Sequence, residues 1–134
     1  MKSNFENLDV WKKSCRLTVN LHELLKETNS FWIKDQILRS ALSIPSNIAE
    51  GCDRNSTAEF RRFVNIAKGS AAELRTQIYI AIQIGIIDKE NGKIIIDELI
   101  SLTKMLQALK NSLADKPIVR STSLGYKTQI TDNQ

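Results

Sequence analysis

The chain contains few residues that break regular structure. It has 5 glycines and 2 prolines among 134 residues. That scarcity argues against a β-sandwich or β-barrel with many turns and favours a few long elements. Hydrophobic residues make up 42% and charged residues 25% of the chain, so extensive disorder is not expected. A chain of this length fits one domain with an ordinary hydrophobic core.

Motifs that carry catalysis are also missing. His22 is the single histidine, and its position at the edge of an apolar helix stripe is typical of a surface or half-buried side chain. The sequence shows no histidine–carboxylate spacing for a metal, no glycine-rich phosphate loop and no GxSxG nucleophile motif. We therefore expect no enzymatic activity, no catalytic residues, no metal and no cofactor.

The cysteines and the N-terminus indicate a cytoplasmic protein. Cys15 and Cys52 belong to no CxxC or Cys/His cluster, so free thiols in a reducing compartment are the simplest interpretation. Residues 1–6 do not combine a basic segment with an apolar run, so no signal peptide is visible. The longest apolar runs fall far below the roughly 20 residues of a membrane-spanning helix, and no membrane contact is expected.

The first half of the chain shows two amphipathic helical patterns. The first begins near Leu8 or Asp9 and the second runs from about Phe31 to Glu50, with Ser30 as its candidate N-cap and Gly51 predicted in a left-handed conformation at its end. The predicted apolar stripes comprise Val10, Trp11, Leu17, Leu21, Leu24 and Leu25 in the first helix, and Ile33, Ile37, Leu38, Ala41, Leu42, Ile44, Ile48 and Ala49 in the second. Pro45 lies inside the second pattern and removes one backbone hydrogen bond.

The second half contains two further helical patterns. Ser56 and Glu59 form a capping-box sequence at the start of the third helix, in which each side chain is expected to bond the backbone amide of the other residue. Gly85 ends that helix, and Asp88 opens a fourth helix that runs to about Ala114. The apolar positions are Phe60, Val64, Ala67, Ala71, Leu74, Ile78 and Ala81 in the third helix, and Ile95, Leu99, Leu102, Leu106, Leu109 and Leu113 in the fourth.

These patterns predict an all-α protein with an antiparallel up-down-up-down four-helix bundle. Short connections between helices of broadly similar length favour that topology. The predicted bundle domain covers residues 1–116. Residues 117–134 are polar and aperiodic, and we interpret them as a flexible C-terminal tail.

Basic residues are concentrated along the third predicted helix. The chain carries 19 lysines and arginines against 15 acids, and Arg61, Lys68 and Arg75 recur every seven residues beside the apolar seam. Arg54 precedes them and Arg62 is adjacent. One interpretation is a row of nucleic-acid phosphate contacts. The other is that these residues pair with acids on a neighbouring helix. Their spacing leaves both open.

A polar ribbon runs along the second predicted helix. Arg39, Ser43, Asn47 and Glu50 follow one another at steps of four, four and three. Serine and asparagine are poor helix formers, so a hydrogen-bonded network or an interface would explain them better than simple solvation. The sequence leaves open whether the ribbon is simply solvated or forms a hydrogen-bonded network or an interface. Asp35 is the candidate ion-pair partner of Arg39.

At this level the chain resembles a known family. The run LRSALSIPSNIAEG at residues 38–51 resembles the signature of four-helix-bundle proteins encoded in intervening sequences of bacterial 23S ribosomal RNA genes. The segments at residues 60–63 and 66–74 are similar to a second motif of that family, and residues 5–11 match its opening. The likeness covers about residues 5–114 and leaves the predicted tail outside it.

The resemblance implies a ring-like homopentamer. It also extends to the accessory variability proteins of diversity-generating retroelements, which are basic pentamers that bind nucleic acid and a reverse transcriptase. Under this resemblance the candidate nucleic-acid contacts are Arg54, Arg61, Arg62, Lys68 and Arg75. The polar ribbon of Arg39, Ser43, Asn47 and Glu50 would be structural or interfacial.

Two hypotheses of function follow. The first is a non-enzymatic oligomeric module that binds structured RNA or DNA through the phosphate backbone. The second is a protein–protein scaffold or adaptor, for a polymerase or another protein, with no direct nucleic-acid role.

Overall fold

A computed structural model describes residues 4–114. A single 3₁₀ turn at Phe5–Asn7 is followed by four helices: α1 (Asp9–Leu25), α2 (Phe31–Cys52), α3 (Thr57–Gln83) and α4 (Lys89–Ser112). The described range contains no β-strand. The helix boundaries agree with the predicted ones within about two residues, and α2 continues without interruption through Pro45. The predicted tail at 117–134 lies outside the described residues.

The four helices close into one bundle. Contacts join α1 to α2, α2 to α3, α3 to α4, and α1 to α4, so α1 and α3 occupy diagonal corners. Short connections make consecutive helices antiparallel. The predicted all-α, up-down-up-down four-helix bundle is confirmed. None of these helices has the combination of length and apolar character needed to cross a lipid bilayer.

The core draws on every helix. Leu21, Ile37, Leu74 and Leu99 come from the four different helices, and each has no solvent exposure. Most predicted stripe positions are buried or packed against this core.

Two predicted core positions are wrong. Leu24 is 37% exposed and Leu42 is 58% exposed. Each lies beside a buried residue, Leu25 or Ala41 respectively. In each pair it is the neighbour that faces the core, and the side chain about 100° further round the helix faces solvent.

Helix ends follow the local sequence at most junctions. Ser56 Oγ accepts a hydrogen bond from the Glu59 amide at 3.2 Å, and Asp88 caps α4 by accepting from the Asn91 amide at 3.1 Å. Gly85 has a φ of 81° and follows α3 as predicted. At α2 the prediction is wrong in part, because Ser30 occupies the N-cap position without a side-chain capping bond.

Gly51 has a different role from the predicted one. It lies inside α2 rather than in a left-handed conformation after it, and Asn55, with a φ of 57°, takes the left-handed position in the following turn. A Cβ on Gly51 would lie 2.6 Å from the Phe63 Cβ and 3.1 Å from the Phe60 Cδ1. The glycine is therefore required by the close approach of α2 to α3.

Candidate nucleic-acid interface

Helix α3 presents three cations along its edge beside α4. Arg61, Lys68 and Arg75 are seven residues apart, which corresponds to about 10.5 Å per step along the helix axis. Lys68 Nζ donates to Gln107 Oε1 of α4, which fixes the side of α3 on which this row lies. We call these three residues the basic edge.

The basic edge keeps its charge uncompensated. Within the part of the chain that the structure describes, Arg61 and Arg75 form no ion pair and no side-chain hydrogen bond, and the partner of Lys68 is a neutral amide. The alternative in which these residues pair with acids on a neighbouring helix is therefore not what the structure shows. No carboxylate in this range neutralises any of the three charges.

Arg54 and Arg62 are held differently. Arg54 lies 2.9 Å from a Glu50 carboxylate oxygen and 3.8 Å from Glu59, and Arg62 lies 3.2 Å from Glu59. Both guanidiniums stack on the Phe63 ring, at 4.9 Å and 4.6 Å from its centroid. The hydrogen bond from Arg62, aided by the charges of both arginines, lowers the pKa of the Glu59 carboxyl. Glu59 thus binds arginine instead of completing the predicted capping box.

A cleft of about 220 Å³ opens between α3 and α4 at one end of the basic edge. Its lining consists of Ala58, Arg61, Arg62, Asn65 and Lys110. Lys110 Nζ donates to Asn65 Oδ1 at 3.0 Å and so bridges the two helices. Sequence reasoning missed Lys110, because nothing in the α4 pattern relates it to residues 45 positions earlier.

The polar ribbon of α2 divides into three parts. Ser43 Oγ and Ser70 Oγ are 2.8 Å apart, and Asn47 Nδ2 donates to the Ser43 carbonyl at 2.8 Å and to Ser43 Oγ at 3.0 Å. Glu50 instead pairs with Arg54. Arg39 is exposed, and the predicted Asp35–Arg39 ion pair is absent among residues 4–114.

Ser70 is the residue that sequence reasoning did not link to the ribbon. It is 8% exposed and lies on α3, whereas the spacing of the ribbon involves residues of α2 alone. The hydrogen bonds make Ser43 and Asn47 part of an intramolecular network between two helices.

Near one end of the bundle, α2 and α3 together carry exposed apolar side chains. Trp32, Ile80 and Ile84 are 65%, 44% and 49% exposed. Trp32 precedes Ser43 by about three helical turns and Ile84 follows Ser70 by about four. Because α2 and α3 are antiparallel, the start of α2 and the end of α3 lie at the same end of the bundle, and these three side chains lie near that end. We call these three residues the apolar edge.

The remaining candidate groups are isolated. His22 is exposed, and Cys15 and Cys52 are half-buried free thiols. Burial raises the pKa of the Cys15 thiol, which disfavours the reactive thiolate. Between residues 4 and 114, no group of three or more histidine, cysteine, aspartate or glutamate side chains is placed to hold a metal ion.

Comparison with known proteins places the chain in a family. Residues 6–108 match the family model described as 23S rRNA-intervening sequence protein. A crystal structure of a protein with unknown function from the S23 ribosomal protein family of Bacteroides thetaiotaomicron superposes with a TM-score of 0.72 at 30% identity, covering 75% of this chain and 97% of that chain. No curated protein matches the sequence. The family match spans far more than half of the 134 residues, so the chain belongs to the 23S rRNA-intervening sequence protein family.

Proposed function

We propose that this protein is a non-enzymatic module of the bacterial cytoplasm that binds structured RNA through the phosphate backbone. The observation that carries the proposal is the basic edge, in which Arg61, Lys68 and Arg75 share one side of α3 without a carboxylate partner. Side-chain cations that neutralise phosphates release counterions and supply sequence-independent affinity. Arg54 and Arg62 flank the edge and add charge that Glu50 and Glu59 partly compensate.

Contacts to phosphate fit this surface better than contacts to bases. Sequence-independent single-strand binders combine a basic groove with several aromatic platforms. Tyr79, which is 51% exposed, follows Arg75 by one helical turn and offers a single ring there. One ring does not make a platform for successive bases. The description of the family makes a 23S ribosomal RNA fragment the first ligand to test.

The test measures RNA affinity as a function of salt. We expect log affinity to fall with log salt concentration at a slope of about −2 to −3, because three phosphate contacts each contribute roughly 0.7 to 0.9 to the slope. A variant with Arg61→Glu, Lys68→Glu and Arg75→Glu should lose binding at low salt. An affinity that is insensitive to salt, or that survives in this variant, would contradict the proposal.

A matched control comes from α1. Lys12 and Arg16 are exposed cations on the helix diagonal to α3, and neither forms an ion pair within the described range. The variant Lys12→Glu with Arg16→Glu lowers the net charge on the far side of the bundle by the same amount as the double variant Arg61→Glu with Arg75→Glu lowers it on the basic edge, and these two double variants are compared. RNA binding that weakens equally in both variants would indicate attraction to net charge rather than to the basic edge.

We further propose that the protein forms a homo-oligomer, with the pentamer that the family resemblance implies as the expected state. The apolar edge supports this second proposal, since contiguous exposed apolar side chains commonly mark protein–protein contacts. A scaffold or adaptor role, including the reverse-transcriptase partnership of the accessory variability proteins, would use the same assembly.

Size-exclusion chromatography with light scattering tests assembly directly. We expect a stable oligomer that Trp32→Glu with Ile80→Glu dissociates, whereas Val19→Glu should leave the mass unchanged. Val19 is 60% exposed and lies on α1, away from the apolar edge. A monomer at every concentration would contradict assembly, and an oligomer that ignores RNA at low salt would favour the scaffold role.

A further inference from the structure

The cleft between α3 and α4 combines three cations with a small residue. Ala58, Arg61, Arg62 and Asn65 follow one another at the i, i+3, i+4 and i+7 positions of one helix face, and Lys110 reaches this face from α4. Ala58 leaves the space between the longer side chains open. The result is a recess rather than a flat basic surface.

We propose that this cleft is a phosphate-binding site in which Arg61, Arg62 and Lys110 hold one phosphate group over Ala58. The inference rests on the proposed function, since it names the point on the bundle where an RNA phosphate docks. Free inorganic phosphate has the same chemistry and serves as the simplest probe.

The charges around the cleft favour an anion. No carboxylate contributes to its lining, and Arg61 has no ion-pair partner in the described range. Lys110 donates to the neutral Asn65 side chain and has no ion-pair partner in the described range. Only Arg62 is partly compensated, by Glu59. The cleft is therefore net positive before any ligand binds.

The donor groups suit the geometry of phosphate. A guanidinium presents two parallel N–H groups that match two phosphate oxygens, and a lysine ammonium adds a compact point charge. The cleft also lies at the first turns of α3, a helix of 27 residues, whose N-terminal end carries partial positive charge. The C-terminal end of α4 carries partial negative charge, which disfavours an anion. Lys110 is a cation in the last turn of α4 and offsets that negative charge.

A purely structural role for Lys110 would be to cross-link α3 and α4 through Asn65. Substitution separates the two roles. Lys110→Gln retains an N–H donor for Asn65 and removes the positive charge, whereas Ala58→Glu leaves Lys110 and Asn65 intact and places a carboxylate in the recess. Glutamate in the first turn of a helix is favourable to the helix dipole, so this variant should fold at least as stably as the wild type.

The experiment is isothermal titration calorimetry of inorganic phosphate into the full-length protein in low-salt chloride buffer. Arg61→Gln, Lys110→Gln and Ala58→Glu should each weaken phosphate binding at least tenfold, and the matched control Arg16→Gln should not. Absence of phosphate binding to the wild type, or retention of affinity in Ala58→Glu, would overturn the site.

Anisotropy of a labelled 23S ribosomal RNA fragment supplies the second arm. Phosphate should compete with RNA, and Ala58→Glu should weaken RNA binding by a factor of three or more. RNA binding that neither phosphate nor Ala58→Glu affects would overturn the cleft and leave the proposed function standing. Phosphate binding that Ala58→Glu abolishes, in a protein that binds no RNA, would support the cleft and contradict the proposed function.

Discussion

The Ser43 hydroxyl of α2 lies 2.8 Å from the Ser70 hydroxyl of α3, in a half-buried contact between the two helices. Asn47 completes the contact from one turn further along α2. The bond pairs one position on each helix and so marks the antiparallel register of α2 and α3. Towards the Gly51 end of α2 that register brings Phe63 close.

Removing the Ser43–Ser70 bond should destabilise the bundle measurably. Ser43→Ala and Ser70→Ala should each lower the free energy of unfolding by about 1 kcal/mol, since each leaves a half-buried partner less satisfied. The double variant should lose less than the two single losses combined, because both partners are then absent. Urea unfolding at fixed protein concentration measures these values. Ser46→Ala, at an exposed position of α2, should have little effect, and a loss equal to that of Ser43→Ala would contradict the prediction.

Two helical glycines should respond to alanine in opposite directions. In Gly51→Ala the new Cβ would lie 2.6 Å from the Phe63 Cβ, and overpacking of this kind costs about 1 to 3 kcal/mol. In Gly69→Ala the new Cβ meets nothing within 4 Å, so the better helix propensity of alanine should stabilise by roughly 0.5 to 1 kcal/mol. Thermal and urea unfolding of both variants test the pair. Stabilisation by Gly51→Ala would show that α2 and α3 are further apart than the structure has them.

Asp88 should make part of the stability depend on pH. The hydrogen bond from the Asn91 amide, with a second from its side chain, lowers the pKa of the Asp88 carboxyl in the folded state. A group with a lowered folded pKa stabilises the protein fully above its unfolded pKa, and this contribution disappears as pH falls through the folded pKa. Asp88→Asn keeps a good N-cap without a titrating group. The stability advantage of the wild type over this variant should therefore shrink between about pH 5 and pH 2, measured by urea unfolding. An advantage that stays constant across that interval would contradict the assignment.

Glu59 should limit the affinity for RNA. Its carboxylate binds Arg62 and approaches Arg54. It therefore partly neutralises two positive charges that a phosphate could otherwise contact. Glu59→Gln should raise RNA affinity at low salt by about twofold to fivefold, the range expected from one exposed ion pair. The control is Glu23→Gln, which removes a carboxylate paired with Lys26 on α1. Equal gains in both variants, measured by fluorescence anisotropy, would show that only net charge matters.

Local sequence was sufficient to predict the elements of this fold. Ser56, Asp88 and Gly85 mark helix ends through interactions within a few residues, and the apolar periodicity predicted the buried faces of α3 and α4. Errors arose where a neighbouring helix determines the outcome. Gly51 ends a pattern in the sequence but lies inside α2, where it allows the close approach of Phe63. Leu42 fits the stripe but faces solvent.

The candidate site likewise has features that local sequence predicted and features that only the packing of the helices determined. The seven-residue spacing determined that Arg61, Lys68 and Arg75 share one side of α3, because helix geometry depends on local spacing alone. The compensated arginines, Arg54 and Arg62, pair with Glu50 and Glu59 only three or four residues away. Only the tertiary structure decided that the basic edge meets no carboxylate and that Lys68 meets the neutral Gln107 of α4. It likewise brought Lys110 to Asn65 and Ser70 to Ser43, across 45 and 27 positions of sequence. Such pairs follow from the packing register between helices. Side chains that are distant in sequence determine that register together, so no single segment of the sequence can predict it.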